Sequence, residues 1–358
     1  MQNSEEEDMS KSTHFTSKST RGRQLIGRRG FAAIGAAALA APLLPVAAYA
    51  DDKVVFRMNW QYYGSHGIFF LGIQKGYYPA QHIACEIKSG NGSGAVVRLV
   101  ANKDSTFAYA SAITMMQLAA QGAPVVSVAT IDATGTDSVL VNPDAGIKTF
   151  KDLEGKRVLT TAGAGVNTLF PVACKNAGVD IKTIQLTNVS ESALVPSYLR
   201  GLAPAILGGM DDKPAEIEAN GGKPPIVFNY ADYGVAQPGY AIVAHKETVA
   251  QQPELCKRFV TATIEAVAEA KSHPEEAIAA LAAARAIKPD AKEEEQARKV
   301  LDVTLSILYS KANTAHRLGL NVPQDWASAL SLLEQYDKLK TSMQPTDFYT
   351  NDFVPAAG

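Results

Sequence analysis

From residue 51 onward, short apolar runs alternate with longer segments whose apolar residues recur at helical spacing. Val54-Val55-Phe56-Arg57-Met58 predicts a first strand. Gly67 to Lys75, with Ile68, Leu71 and Gly72 on one face, predicts a helix stopped by Gly76-Tyr77-Tyr78-Pro79. Ile83 to Ile87 alternates as a second strand, the glycines at 90, 92 and 94 mark a flexible turn, and Ala95 to Ala101 predicts a helix with Val96, Val97 and Val100 inward. Phe107 to Tyr109 predicts a short strand, Ile113 to Gln121 a helix, and Pro124 to Ile131 a strand buried on both faces.

A second module has the same grammar. Strands are predicted at Asp137 to Val141, Val158 to Thr160, Ile184 to Leu186, Ala205 to Leu207 and Pro225 to Phe228, with helices at Asn167 to Ala177 and Ala193 to Leu199. Tyr240 to Ala244 reads as a strand returning to the first module, and everything from Pro253 is helical: Phe259, Ile264, Val267 and Ala268 form one stripe, followed by Ala277–Ile287, Ala291–Leu308 and Trp326–Lys338. Alternating strands and helices predict parallel sheets covered on both faces. Two such sheets, joined by crossing strands near 135–142 and 229–243, predict an α/β protein of two lobes with a cleft between them. The first lobe is expected to be discontinuous, 51–138 with 240–358, and the second to span 139–239.

Residues 1–50 have a different character. A polar segment ends in Arg28-Arg29, no charge occurs from Gly30 to Ala50, and the run closes on Ala48-Tyr49-Ala50 before Asp51-Asp52. A basic flank, a short apolar core and a small-x-small end predict a secretory signal peptide cleaved after about Ala50. The paired arginines before Gly30-Phe31 resemble a twin-arginine export signal, which implies the translocation machinery as a partner during export and a periplasmic destination.

Composition narrows the classes. The chain has 358 residues, 34 Lys+Arg against 36 Asp+Glu, and 46% hydrophobic residues. A formal charge of −2 supplies no basic field for nucleic acid. Cys85, Cys174 and Cys256 are too few and too far apart for a disulfide framework or a metal site, and the six histidines form no ligand pair, so no metal is expected. No hydrolase elbow or Walker sequence occurs, and the Gly90 to Ala95 turn is a weak match to a dinucleotide fingerprint. No cofactor is expected.

Candidate binding residues gather where the predicted strands end, which is where open α/β sheets bind ligands. Asn59 to Gly67 carries Trp60, Tyr62, Tyr63 and His66, a set suited to a flat or apolar ligand. Tyr109 and Ser111 end the third strand. Gly163-Ala164-Gly165-Val166-Asn167 lies between a strand and a helix, where backbone amides can hold an anion or a carbonyl oxygen. Gly208-Gly209-Met210-Asp211 and Tyr230 to Gly234, which includes Tyr233, end strands of the second module.

Several of these segments resemble the solute-binding proteins of ABC importers, in the branch of thiamine-pyrimidine-precursor, alkanesulfonate, taurine and nitrate binders. The resemblance rests on the strand and aromatic loop followed by Gly72-Ile73-Gln74-Lys75-Gly76-Tyr77-Tyr78, on Gly92-Ser93-Gly94, on Leu99 to Ala108, on Lys148 to Val158 and on Tyr349-Thr350-Asn351-Asp352-Phe353. It covers essentially the whole chain after residue 50. It implies a type II periplasmic-binding-protein fold, two α/β lobes closing on one small molecule, with a membrane permease as partner and no enzymatic activity. Trp60 followed by His66-Gly67 resembles the loop of pyrimidine-precursor binders, so the resemblance implies that Trp60 stacks on a flat heterocycle while His66 hydrogen-bonds its edge, and Tyr109 is expected to add a directional hydrogen bond. Ser93 and Asn167, with the amides at Gly163 and Ala164, would hold the polar end, and Asp211 or Tyr233 would close from the second lobe. Tyr63, Ser111 and Met210 complete the expected set. An alkanesulfonate, taurine or nitrate is the alternative ligand, and a pyrimidine-metabolising enzyme the alternative function. The chain departs from the family pattern at Pro204, and it lacks the cysteine-rich segment of the related fungal pyrimidine synthases, with Gly163 to Thr168 in its place.

Overall fold

The computed structural model describes residues 51–162, 164, 166–285 and 288–356. The export-signal reading falls on residues 1–50 and lies outside them. Strands β1 (Asp52–Arg57), β2 (Ile83–Lys88), β3 (Phe107–Ser111) and β4 (Val125–Thr130) alternate with helices α1 (Gly67–Gln74), α2 (Tyr77–Ala80), α3 (Ser93–Ala101) and α4 (Ala112–Ala120). A second run follows: β5 (Asp137–Val141), β6 (Arg157–Thr161), α5 (Val166–Asn176), β7 (Gln185–Val189), α6 (Glu191–Leu199), β8 (Ala205–Gly209), α7 (Lys213–Ala219) and β9 (Ile226–Asn229). The chain then returns through β10 (Tyr240–His245) to five helices, α8 (Lys246–Gln251), α9 (Pro253–Ser272), α10 (Pro274–Ala284), α11 (Ala291–Ser306) and α12 (Pro323–Tyr336).

The strands form two five-stranded sheets, in the orders β2-β1-β3-β10-β4 and β7-β6-β8-β5-β9. Neither sheet is purely parallel, contrary to the expectation from strand–helix alternation. In the first, β10 runs antiparallel to both β3 and β4. In the second, β5 runs antiparallel to both β8 and β9. The reason is topological: β5 and β10 are the strands by which the chain enters each sheet from the other, so they start at the edge where the remaining strands end.

Strand alternation sorts the cores. Phe107 and Tyr109 of β3 face one layer with Phe56, Phe69 and Phe259, while Ala108 and Ala110 face another with Val97, Met115 and Trp326. The rings of Phe107 and Phe259 stack at 4.0 Å. In the second sheet, Val139 and Val141 face one core and Leu140 the other. Gly76, at φ +77°, makes the break between α1 and the short α2, so the segment expected to stop the first helix itself turns helical. Cys174 and Cys256 are buried, Cys85 is half-buried, and all three are free thiols whose pKa burial pushes up to about 12. Among the described residues no helix is long and apolar enough to cross a membrane.

Two connections, 131–136 and 230–239, join the sheets and run side by side. The Gly135 amide donates to the Gln237 carbonyl at 3.0 Å and the Gly239 amide to the Asp132 carbonyl at 2.8 Å. The approach needs glycine: a Cβ on Gly239 would stand 2.7 Å from the Thr134 carbonyl oxygen.

Candidate ligand cleft at the strand ends

The C-terminal ends of β1 and β8 face a cavity of about 840 Å³. The first sheet supplies Asn59, Trp60 and Tyr63 from the segment after β1, Ser93 from the start of α3, and Tyr240 from β10. The second supplies Glu191 and Ser192 from the start of α6, with Asp211, Asp212, Lys213 and Glu216 after β8. Gln296 and Val300 of α11 close one side.

Among the described residues Trp60 is the most exposed large apolar side chain, at 54%. Its backbone is pinned: its carbonyl accepts from the Gly90 amide at 3.1 Å, and the neighbouring Asn59 carbonyl accepts from the Gly92 amide at 2.7 Å. A fixed backbone under an exposed indole makes a preformed stacking surface. Gly64 allows the loop to press on α11, since a Cβ there would meet the Ala297 carbonyl oxygen at 2.0 Å.

Behind this loop lies a chain of buried hydrogen bonds. His66 Nδ1 accepts the Tyr63 amide at 3.3 Å, which leaves the proton on Nε2, 2.7 Å from Asn59 Oδ1. Asn59 Nδ2 in turn donates to the Tyr63 hydroxyl at 3.0 Å. The Tyr63 hydroxyl also donates back to Asn59 Oδ1, but over 3.4 Å, so an acceptor in the cleft competes for its proton only with that long bond. Burial, reinforced by the charge of Arg285, lowers His66 to about 3, so the ring is neutral at physiological pH.

The second wall is acidic. Lys213, only 8% exposed, places Nζ 2.7 Å from Glu191, 2.9 Å from Glu216 and 3.4 Å from Asp212. Burial opposes its charge, but the carboxylates outweigh burial and raise its pKa. Burial raises Asp211. Burial first, and the charge of Asp211 second, push Asp212 up to about 7. The Asp212 side chain keeps 51% of its surface open, so burial acts on it through the protein side alone and the charge of Asp211 adds to it.

Of the residues expected at the site, Trp60, Tyr63, Ser93 and Asp211 line this cleft. His66 does not: it is fully buried behind Asn59 and Tyr63, and it orients them. Tyr109 is also buried, its hydroxyl donating to Asp132 Oδ2 at 2.9 Å and its ring stacked 4.9 Å from Tyr240, so it supports the floor from below. Ser111 caps α4 and lines a separate cavity of about 170 Å³. Asn167 spends both ends of its amide inside its own turn, on Thr160 and on the Thr161 carbonyl, and the Ala164 amide also donates to that carbonyl. Gly163 lies outside the described residues. Met210 lines another cavity with Asn229, and Tyr233 packs on Phe150 in the second core. The sequence reading passed over Tyr240, Glu191, Ser192, Asp212, Lys213, Glu216, Gln296 and Val300 as cleft residues, and gave Asn59 no role.

The family model described as "NMT1/THI5 like" matches residues 64–277. A Haemophilus influenzae protein named for thiamine biosynthesis is 26% identical over 66% of this chain and 74% of its own length. The 4-amino-5-hydroxymethyl-2-methylpyrimidine phosphate synthase of Legionella pneumophila is 24% identical over 85% of this chain and 93% of its own. Among solved structures, the periplasmic aliphatic sulphonate binding protein SsuA of Escherichia coli superposes with a TM-score of 0.62 at 17% identity, covering 84% of this chain and 91% of its own. At that identity the likeness shows the fold, that of a periplasmic binding protein.

Proposed function

The chain belongs to the NMT1/THI5 like family, and on that premise we propose that it is the extracytoplasmic solute-binding component of an ABC importer, capturing a small flat heterocycle between its two sheets. The observation that carries this reading is Trp60, exposed over a cavity of about 840 Å³ whose walls come from strand ends of both sheets. On this account 51–138 with 240–358 and 139–239 are the two lobes. Residues 131–136 and 230–239 form the hinge, and contacts with both walls shift the population toward a closed state. Trp60 stacks on the ring, Tyr63 donates to its edge, and Ser93 and Asp211 bind its polar groups. His66 acts one step back, through Asn59. Residues 1–50 direct export to the periplasm by the twin-arginine route, and a permease receives the cargo.

Binding without chemistry fits the cleft better than synthesis or cleavage. Among its described lining residues there is no histidine or cysteine, and His66 sits neutral behind the wall. The sulfonate, taurine or nitrate reading meets an acidic wall whose lysine is already held by three carboxylates. The test is a thermal-shift panel of pyrimidines, other flat heterocycles, alkanesulfonates, taurine and nitrate against residues 51–358. A heterocycle at a hundredfold excess over its Kd adds about 2.7 kcal/mol of stability. Selective stabilisation by sulfonate or nitrate, or turnover of a pyrimidine by the purified protein, would overturn the reading.

A further inference from the structure

We propose that the captured solute is an organic cation: a flat ring carrying a positive charge, or a ring bearing a protonated amine. The inference rests on the cleft being the binding site and adds the sign of the ligand's charge.

Four carboxylates line the cavity, Glu191, Asp211, Asp212 and Glu216, against one ammonium, Lys213. That ammonium is not available to a ligand, because it is within 3.4 Å of three of the four. The fourth, Asp211, lines the same cavity as Tyr63 and Tyr240 and is not among the ion-pair partners of Lys213. Asp132, in the hinge, is 2% exposed, and its Oδ1 has no hydrogen-bond partner. Asp132 does not line the cavity and keeps its proton in the native protein, so the acidic wall a ligand meets is Asp211 together with the three carboxylates around Lys213.

Among the cations around the cleft, Arg98 donates to the Gly94 carbonyl at 3.1 Å, Arg285 donates to the Tyr62 carbonyl at 3.0 Å, and Lys299 pairs with Glu218 at 2.8 Å and Glu295 at 3.0 Å; none of the three lines the cavity. The first turns of α6 and α7, whose amides favour anions, each hold their own carboxylate, Glu191 and Glu216. The first sheet brings the rings of Trp60, Tyr63 and Tyr240 to the same cavity. An aromatic face and a carboxylate wall both attract a cation and both repel an anion. A neutral ring would gain the stacking and leave the acidic wall uncompensated.

The two tryptophans make this testable without knowing the ligand. Trp326 is fully buried and Trp60 is half exposed, so collisional quenching of residues 51–358 reads the cleft alone. Quenching by acrylamide, caesium and iodide would be measured at pH 8 and low ionic strength, each normalised to free N-acetyltryptophanamide. We expect acrylamide to quench one emitting component, and caesium to exceed iodide by about threefold or more. The ratio should fall toward one in 1 M sodium chloride, where charges more than about 3 Å apart are screened. It should fall at low salt in the variant D211N/D212N. Iodide matching or exceeding caesium at low salt, with acrylamide still effective, would overturn the cationic class and leave the cleft reading in place. No acrylamide-accessible component would overturn the cleft reading itself.

Discussion

Replacing His66 with glutamine tests whether that ring is a buried neutral support. His66 is lowered to about 3, from an ordinary value of 6.5, by burial and by Arg285. A histidine whose folded pKa is depressed gives up stability as pH falls from its unfolded value toward its folded one, because only the unfolded chain takes the proton. Each unit is worth about 1.4 kcal/mol, so between pH 6.5 and pH 5 the wild-type protein loses about 2 kcal/mol through this one group. His66→Gln has no such group. Its level of stability falls at every pH, because the acceptor for the Tyr63 amide and the partner of Asn59 Oδ1 are disturbed, so the level decides nothing. The slope does. Urea denaturation of both proteins at pH 5.0, 5.5, 6.5 and 7.5 should show the wild-type advantage shrinking by about 2 kcal/mol from 6.5 to 5.0. An advantage independent of pH would mean that His66 is protonated or solvated in the native state, and the relay through Asn59 to Tyr63 would fall with it.

Asp132 carries the opposite dependence: burial raises it to about 8, so the native protein holds a proton the unfolded chain releases near pH 4, and stability declines as pH rises between the two. Asp132→Asn should therefore gain on wild type from pH 5 to pH 8 in the same urea series; parallel curves would refute the buried protonated acid. Tyr63→Phe keeps the ring and removes the hydroxyl, so the melting temperature should hold within a few degrees while ligand affinity, by calorimetry, drops roughly tenfold. Gly64→Ala places a methyl 2.0 Å from the Ala297 carbonyl oxygen and should cost about 1–3 kcal/mol in urea.

Most of the fold was legible because periodicity reports which faces are buried. Strand direction is not periodic information, and so the antiparallel β5 and β10 could not be read. Helix α7 escaped because it has seven residues and begins Lys213-Pro214 after two acids, a stretch that reads as a solvated turn. Trp60 was legible as an aromatic where a strand ends. His66 and Tyr109 carried the same signal, but their buried partners, Asn59 and Asp132, are set by tertiary contact and have no spacing of their own. The glycine turn at 163–167 looked like an amide cradle. Asn167 already fills its own turn, which only the fold could reveal. The acidic wall had a partial signal in Met210-Asp211-Asp212-Lys213 after a strand. Glu191 joins it from another segment, brought in by the parallel pairing of β6 with β7 and β8.

The central claim is that one ligand touches both walls. It is tested most directly by isothermal titration of the strongest ligand from the thermal-shift panel into wild type, Trp60→Ala and Asp211→Asn. Trp60 belongs to the first wall and Asp211 to the second, so each variant should weaken the same ligand by about tenfold or more while the circular-dichroism spectrum stays unchanged. Wild-type affinity in either variant would place the ligand on one wall only, or outside this cleft, and would contradict the account.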